Sequence, residues 1–341
     1  MDRRSAITLV VIAAIVVVVA TTLSVVGDDG PPVATTATTA TTAATSTSPT
    51  NEATGASTTT MAETTTAPPS TLPAGTTVCD RYEVVTVAGA VASSGLVEAS
   101  GMAASRLHPD VLWAHNDSRD GARAYAIGPE GDDLGSFDLA GALAFDWEDM
   151  AAAPGPDPET TYLFFGDIGD NFAIRGGEIT TYRVPEPDYA TLSGPIEGAV
   201  PLHYAYPDGT YNAEALFVTD GSLYVVTKDR DETRVYRGDA TGDGSATETL
   251  ELVVTLHLDA EVSGADVSWD QSTIAFRGYR TVWLWHRTPG ETIADALTRP
   301  PCTAPSPDEI QGESIAFLTD GAYATVSEGS NPLLHVVAVG P

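Results

Sequence analysis

Five segments of the sequence resemble one another, and no other feature restricts the fold so tightly. They are "EASGMAASRLHPDVLWAHND" from Glu98, "DWEDMAAAPGPDPETTYLFFGDIGDN" from Asp146, "NAEALFVTDGSLYVVTKD" from Asn212, "SGADVSWDQSTIAFRGYR" from Ser263 and "QGESIAFLTDGAYATVSEG" from Gln311. Each runs from a polar residue through a short apolar strand, a turn with Asp, Gly or Pro, and a second apolar strand ending in a polar cluster. The anchors Met102, Met150, Leu216, Val267 and Ile315 recur about 48 to 66 residues apart. Further short strands, such as "RAYAIG", "ITTYRVP" and "TVWLWHR", fill the intervals. Units of this length, each able to supply four strands, indicate an all-β domain built as a β-propeller. The count favours five blades, with six if the long second unit hides another.

The ends of the domain support closure of such a ring. "YEVVTVAG" (82–89) precedes the first repeat, and the fifth lacks a fourth strand, so the first strand can complete the last blade. Cys79 lies beside that strand, and Cys302 falls in the expected outer strand of blade four. In an oxidising compartment they are a candidate disulfide between neighbouring outer strands. Two free buried thiols are the alternative.

Within a blade the second strand is antiparallel to the first, so first-strand starts and second-strand ends share one end of the blade. Aligning the anchors places Ser100, Glu148, Glu214, Ala265 and Glu313 in one column. Two residues earlier come Glu98, Asp146, Asn212, Ser263 and Gln311. The second strands end in His115, Asn116 and Asp117, in Asp167, Asp170 and Asn171, in Lys228 and Asp229, in Arg277, and in Ser327 and Glu328. First strands line the channel of a propeller, so these groups should converge on one mouth. Three glutamates in one column repel one another. Either a cation or the bases Lys228 and Arg277 must neutralise them. Oxygen-only ligands suit Ca²⁺, and no His/Cys spacing typical of zinc occurs.

Each group also has a plainer reading. Asp167, Asp170 and Asn171 are turn formers, although the loop from Asp167 to Glu178 is longer than a hairpin needs. His115 either bonds backbone or serves as ligand or base. Trp113, Trp147, Trp283 and Trp285 read as packing between blades. Lys228, the chain's one lysine, either meets an anionic ligand with Arg277 or pairs with a glutamate.

Before the repeats, Arg3 and Arg4 precede 21 uncharged residues, Ala6 to Val26. That length spans a hydrocarbon core as a helix. The basic flank before it, and Asp28 and Asp29 after it, place the amino end inside and the rest outside the cell. The expectation is a single-pass anchor of the cell membrane over 1–27, or a secreted protein if the segment is cleaved. Residues 28–77 are mostly Thr, Ala, Ser and Pro, a disordered stalk with too little apolar mass to fold. The propeller then occupies 78–341. With 47 acidic and 16 basic residues, the formal charge is −31, which excludes nucleic acid as a partner.

The motifs "DWEDM", "GDIGDN", "NAEAL" and "QGESIAF", in this order, resemble those of a group of secreted or anchored bacterial β-propeller proteins, many of them actinobacterial. The resemblance covers residues 95–338 and extends distantly to β-propeller phytases and phytase-like esterases, calcium-dependent phosphomonoesterases with an acidic channel mouth. It implies that Asp167, Asp170, Glu148, Glu214 and Glu313 hold calcium, with Asp149 and Asn171 beside them in the same motifs. Lys228 and Arg277 would then meet phosphate, and His115 or Glu148 would act as general base. True phytases have six blades and acidic segments of their own that this chain lacks. The expected function is therefore an external propeller that binds an anionic small molecule or a protein through a calcium site. A phosphoesterase and an adhesion module are the alternatives.

Overall fold

The computed structural model describes residue 72 and residues 75–117 and 120–340. The expected membrane anchor (1–27) and nearly all of the stalk (28–77) lie outside the described residues. Among the described residues no helix is long and apolar enough to cross a membrane.

The described chain forms five sheets around one axis, antiparallel except for one added strand. Strand β1 (Tyr82–Ala90) comes first and is used last. Blade 1 is β2 (Ala99–Ala104), β3 (Leu112–Asn116), β4 (Arg123–Ile127) and β5 (Asp133–Asp138). Blade 2 is β6 (Trp147–Pro154), β7 (Thr161–Asp167), β8 (Glu178–Pro185) and β9 (Val200–Ala205). Blade 3 is β10 (Ala213–Thr219), β11 (Ser222–Thr227), β12 (Thr233–Asp239) and β14 (Glu251–Leu256). The short β13 (Thr247–Thr249) leaves that blade and pairs in parallel with β9, giving blade 2 a fifth strand. Blade 4 is β15 (Gly264–Val267), β16 (Thr273–Arg277), β17 (Val282–His286) and β18 (Cys302–Ala304). Blade 5 is β19 (Gly312–Phe317), β20 (Tyr323–Ser327) and β21 (Leu333–Val339), completed by β1 against β21. The second unit is long because of the loops after β7 and β8; the borrowed strand comes from the third unit. The sheets number five, not six.

The first strand of each blade packs against the first strands of its neighbours, and β19 meets β2 to close the ring. Crowding at the axis explains why these strands are buried along almost their whole length and rich in Ala, Gly and Ser. At Gly101 a Cβ would lie 2.7 Å from the Met150 nitrogen, so the approach of blades 1 and 2 requires glycine there. Five apolar clusters fill the five spaces between blades. Aromatic rings dominate two of them, Trp147 stacked on Phe165 at 5.0 Å and Phe217 on Tyr224 at 4.8 Å. All four tryptophans expected to pack between blades are buried. Cys79 and Cys302 form a disulfide that ties the turn before β1 to β18.

Two carboxylates, one fully buried and one partly, lace the inner strands together. Asp149 accepts hydrogen bonds from the backbone nitrogens of Met150 (2.8 Å), Leu216 (2.9 Å) and Ala265 (3.0 Å), joining blades 2, 3 and 4. Asp266, in the same column position of blade 4, accepts from Val267 and Phe317, both at 2.7 Å. Backbone N–H groups on inner strands face an axis without further strands, and these side chains satisfy them.

Candidate cation site at the channel mouth

In every blade a backbone hydrogen bond joins the residue before the inner strand to the chain at the end of the second strand. Asp117 N donates to Glu98 O, Gly169 N to Asp146 O, Lys228 N to Asn212 O, Ser263 N to Arg277 O and Glu328 N to Gln311 O. The expected polar columns therefore share one end of the ring, the mouth.

At that mouth Asp117, Asp146 and Glu148 each offer a carboxylate oxygen within 4.8 Å of the others. Asp117 follows the second strand of blade 1, while Asp146 and Glu148 open the inner strand of blade 2. Glu148 is buried, and its Oε1 has no hydrogen-bond partner; neither has Asp117 Oδ1. Burial, then the charges of Glu214, Asp117 and Asp146, push the Glu148 carboxyl well above the usual range. Burial, then the charges of Asp146 and Glu214, raise Asp117 to about 7. Gly169 gives the trio its space, because a Cβ there would lie 2.1 Å from Glu148 Oε1 and 2.6 Å from Asp146 Oδ2. A hard cation that takes oxygen ligands fits these residues: it would supply the missing partners and cancel the repulsion.

Around the trio the ring continues. Glu214 forms an ion pair with Lys228 at 2.6 Å and accepts from Asn212 Nδ2 at 3.1 Å. Lys228 Nζ also donates to the Tyr279 hydroxyl at 3.0 Å. Glu313 is buried beside them, and burial, followed by the charge of Glu214, raises its carboxyl to about 8. The plainer reading of Lys228 is thus the observed one. It neutralises a glutamate.

Several expected site residues are used elsewhere. Asp149 is not at the mouth, because both of its oxygens are engaged by backbone along the axis. Arg277 is fully buried and paired with Glu309, so it presents nothing to a phosphate. His115 is likewise fully buried, donating from Nδ1 to Asn116 O at 2.9 Å with its ring edge-on to Trp147 at 5.3 Å. Burial lowers it to about 4 and keeps the ring neutral, and its place is among packed aromatic rings rather than at the open mouth. In "GDIGDN", Asp167 is paired with Arg175 and accepts from Asp146 N at 3.0 Å. Asp170 accepts from the backbone of Ile174 (2.7 Å) and Arg175 (3.1 Å), and Asn171 accepts from Asn212. The motif builds the wall of the site and fixes Asp146, while its own carboxylates stay in the loop. Of the expected calcium set, Glu148, Glu214 and Glu313 face the mouth. Asp117 and Asp146 stand in the sequence columns, but spacing alone gave no reason to prefer them as ligands.

No known protein family matches the sequence, and no curated protein does. Among solved structures, the chain is similar to the soluble aldose sugar dehydrogenase of Escherichia coli in its apo form, at 11% identity over 75% of this chain and 99% of that one, with a TM-score of 0.42. It is also similar to two structures described as glucose dehydrogenase. One has 9% identity and a TM-score of 0.43, the other 11% and 0.44, each over 76% of this chain and 100% of the other. A protein of unknown function from Bacteroides thetaiotaomicron is similar at 11% identity, over 75% of this chain and 76% of that one, with a TM-score of 0.41. Likeness at this level carries nothing about chemistry. What the sheet order itself establishes is that the chain folds as a five-bladed β-propeller.

Proposed function

We propose that the propeller is an external, membrane-tethered binding domain that takes up its ligand through a divalent cation, calcium by the chemistry of the donors. Asp117, Asp146 and Glu148 would hold the ion, which would supply charge neutralisation and open positions for oxygen atoms of the ligand. The observation that carries this reading is the buried Glu148 Oε1, unpartnered and facing two further carboxylates. Buried charge is retained against its cost only where something compensates it. Tethering rests on the apolar run Ala6–Val26 and the stalk after it.

The test is thermal unfolding of the full chain in mild detergent, with calcium and with chelator. A ligand at a hundred times its Kd stabilises by about 2.7 kcal/mol, a rise of several degrees. Glu148→Gln should abolish that rise while leaving the melting temperature in chelator unchanged or higher. A wild-type melt indifferent to calcium would remove the cation from the reading.

The phosphoesterase alternative has no specific observation in its favour, since Arg277 is buried and Lys228 is engaged. Docking of a protein on the mouth has one. Among the described residues, the five most exposed large apolar side chains are Phe172 and Ile310 (83% each), Leu143 (72%), Ile174 (65%) and Phe145 (59%), all in connections at the mouth end. Four of them come from the two loops that enclose Asp146 and Gly169. If a protein partner sits there, a Phe172→Ser/Ile174→Ser variant should lose it while keeping its calcium response in the melt.

A further inference from the structure

The inner hairpin turns of the blades meet at the opposite end of the channel. Those of blades 1 to 4 enclose a cavity of ≈ 270 Å³, lined by Arg106, Ala153, Pro154, Val218, Thr219 and Gln271 among others. Arg106 comes from the blade 1 turn and reaches across to blade 4, where its guanidinium carbon lies 4.3 Å from the centroid of the Trp269 ring. Its Nε donates to Ala152 O at 3.0 Å, and its backbone nitrogen donates to Glu186 at 3.2 Å.

Arg106 forms no ion pair with any carboxylate among the described residues, and no hydrogen bond there engages its two terminal nitrogens. Acidic residues outnumber basic ones by 47 to 16. Arg81, Arg183 and Arg230 likewise have no ion pair among the described residues, Arg183 donating to the Ala240 and Gly242 carbonyls, whereas Arg123, Arg175, Arg234, Arg237, Arg277, Arg280, Arg287 and Arg299 find a carboxylate at ion-pair distance. Arg106 instead has Asp266 and Glu186 only as longer-range attractions. Asp220, the carboxylate on the cavity wall, is already paired with Arg287 at 2.5 Å. A half-buried guanidinium whose terminal donors no protein group engages, set at a cavity wall, lacks a planar, anionic counterpart.

We propose that this second opening is a binding pocket for a small carboxylate, held by the Arg106 fork. The guanidinium is fixed by the Trp269 face and by Ala152 O, which leaves its terminal nitrogens to engage two oxygens side by side. Ala153, Pro154 and Val218 give the ligand's short carbon body an apolar surface. Thr219, hydrogen-bonded to Gln271, puts a polar pair on the same cavity for a second oxygen group. The volume restricts the ligand to a few non-hydrogen atoms, on the scale of succinate rather than a peptide. This pocket is independent of the cation site, which lies at the other end of the channel.

Isothermal titration of the full chain with succinate, in the presence of chelator, tests it. Saturable single-site binding is expected, and it should weaken at least tenfold in Arg106→Gln. Arg106→Lys keeps the charge and the ring contact but loses the fork, so at least a threefold loss is expected, and this variant decides if Arg106→Gln does not fold. Absence of binding to the wild type, or equal binding in wild type and Arg106→Lys, would overturn the proposal. So would inorganic phosphate binding tenfold more tightly than succinate.

Discussion

Glu148 and Gly169 form a pair in which one residue holds charge and the other withholds bulk. A methyl group at Gly169 would meet the ends of two flexible side chains rather than backbone, so the fold can yield by displacing them. Gly169→Ala should therefore cost little stability in chelator, measured as a change of under about 1 kcal/mol. The same variant should lose most of the calcium-induced rise in melting temperature. An undiminished rise would show that the space at Gly169 is not part of the ion's site. At this scale the sequence was legible only in part. The columns that contain Asp117, Asp146 and Glu148 follow from the repeat, but which carboxylates remain free depends on partners distant in sequence. Asp167 is consumed by Arg175, eight residues on, and Arg277 by Glu309, thirty-two residues on. Neither pairing leaves a periodic trace. Burial of His115 is equally silent, because a polar residue at a strand end reads the same whether it faces solvent or a neighbouring blade.

At the level of elements, the repeat was a good guide because hydrophobic alternation and turn chemistry report strand pairing directly. The closing strand was readable from a missing fourth strand in blade 5, and its pairing from Tyr82↔Val339 to Ala90↔Leu333 fulfils that expectation. The parallel β13 was not readable, since three exposed residues carry no alternation to interpret. The disulfide secures the closure, as Cys79 precedes β1 and Cys302 belongs to the neighbouring blade. Cys302→Ser should lower the unfolding free energy by roughly 2–4 kcal/mol in denaturant titration. Wild-type protein under strong reductant should match it. If the two differ little from oxidised protein, β1 is held by its own hydrogen bonds and packing.

For the whole molecule, the accumulated acidity at one mouth makes stability depend on pH in a particular direction. The carboxyls of Asp117 and Glu313 titrate at about 7 and about 8 in the folded chain, above their ordinary values of 3.8 and 4.5. Between those limits the folded state binds more protons than the unfolded one, so stability falls as pH rises. Without calcium, the melting temperature should decline from about pH 5 to pH 8. Saturating calcium should flatten the decline, because the ion then balances the ionised groups. A melting temperature that climbs over this interval in chelator would contradict the crowding of these carboxyls. The ring also has a mechanical consequence. A pull on the segment before Cys79 does not arrive at β1 alone; it divides between blade 5, through the backbone, and blade 4, through Cys302. An edge strand pulled from its end unzips one hydrogen bond at a time, but here two edges share the tension. Against any such pull the fold thereby has a hinge pin where it would otherwise have only a seam.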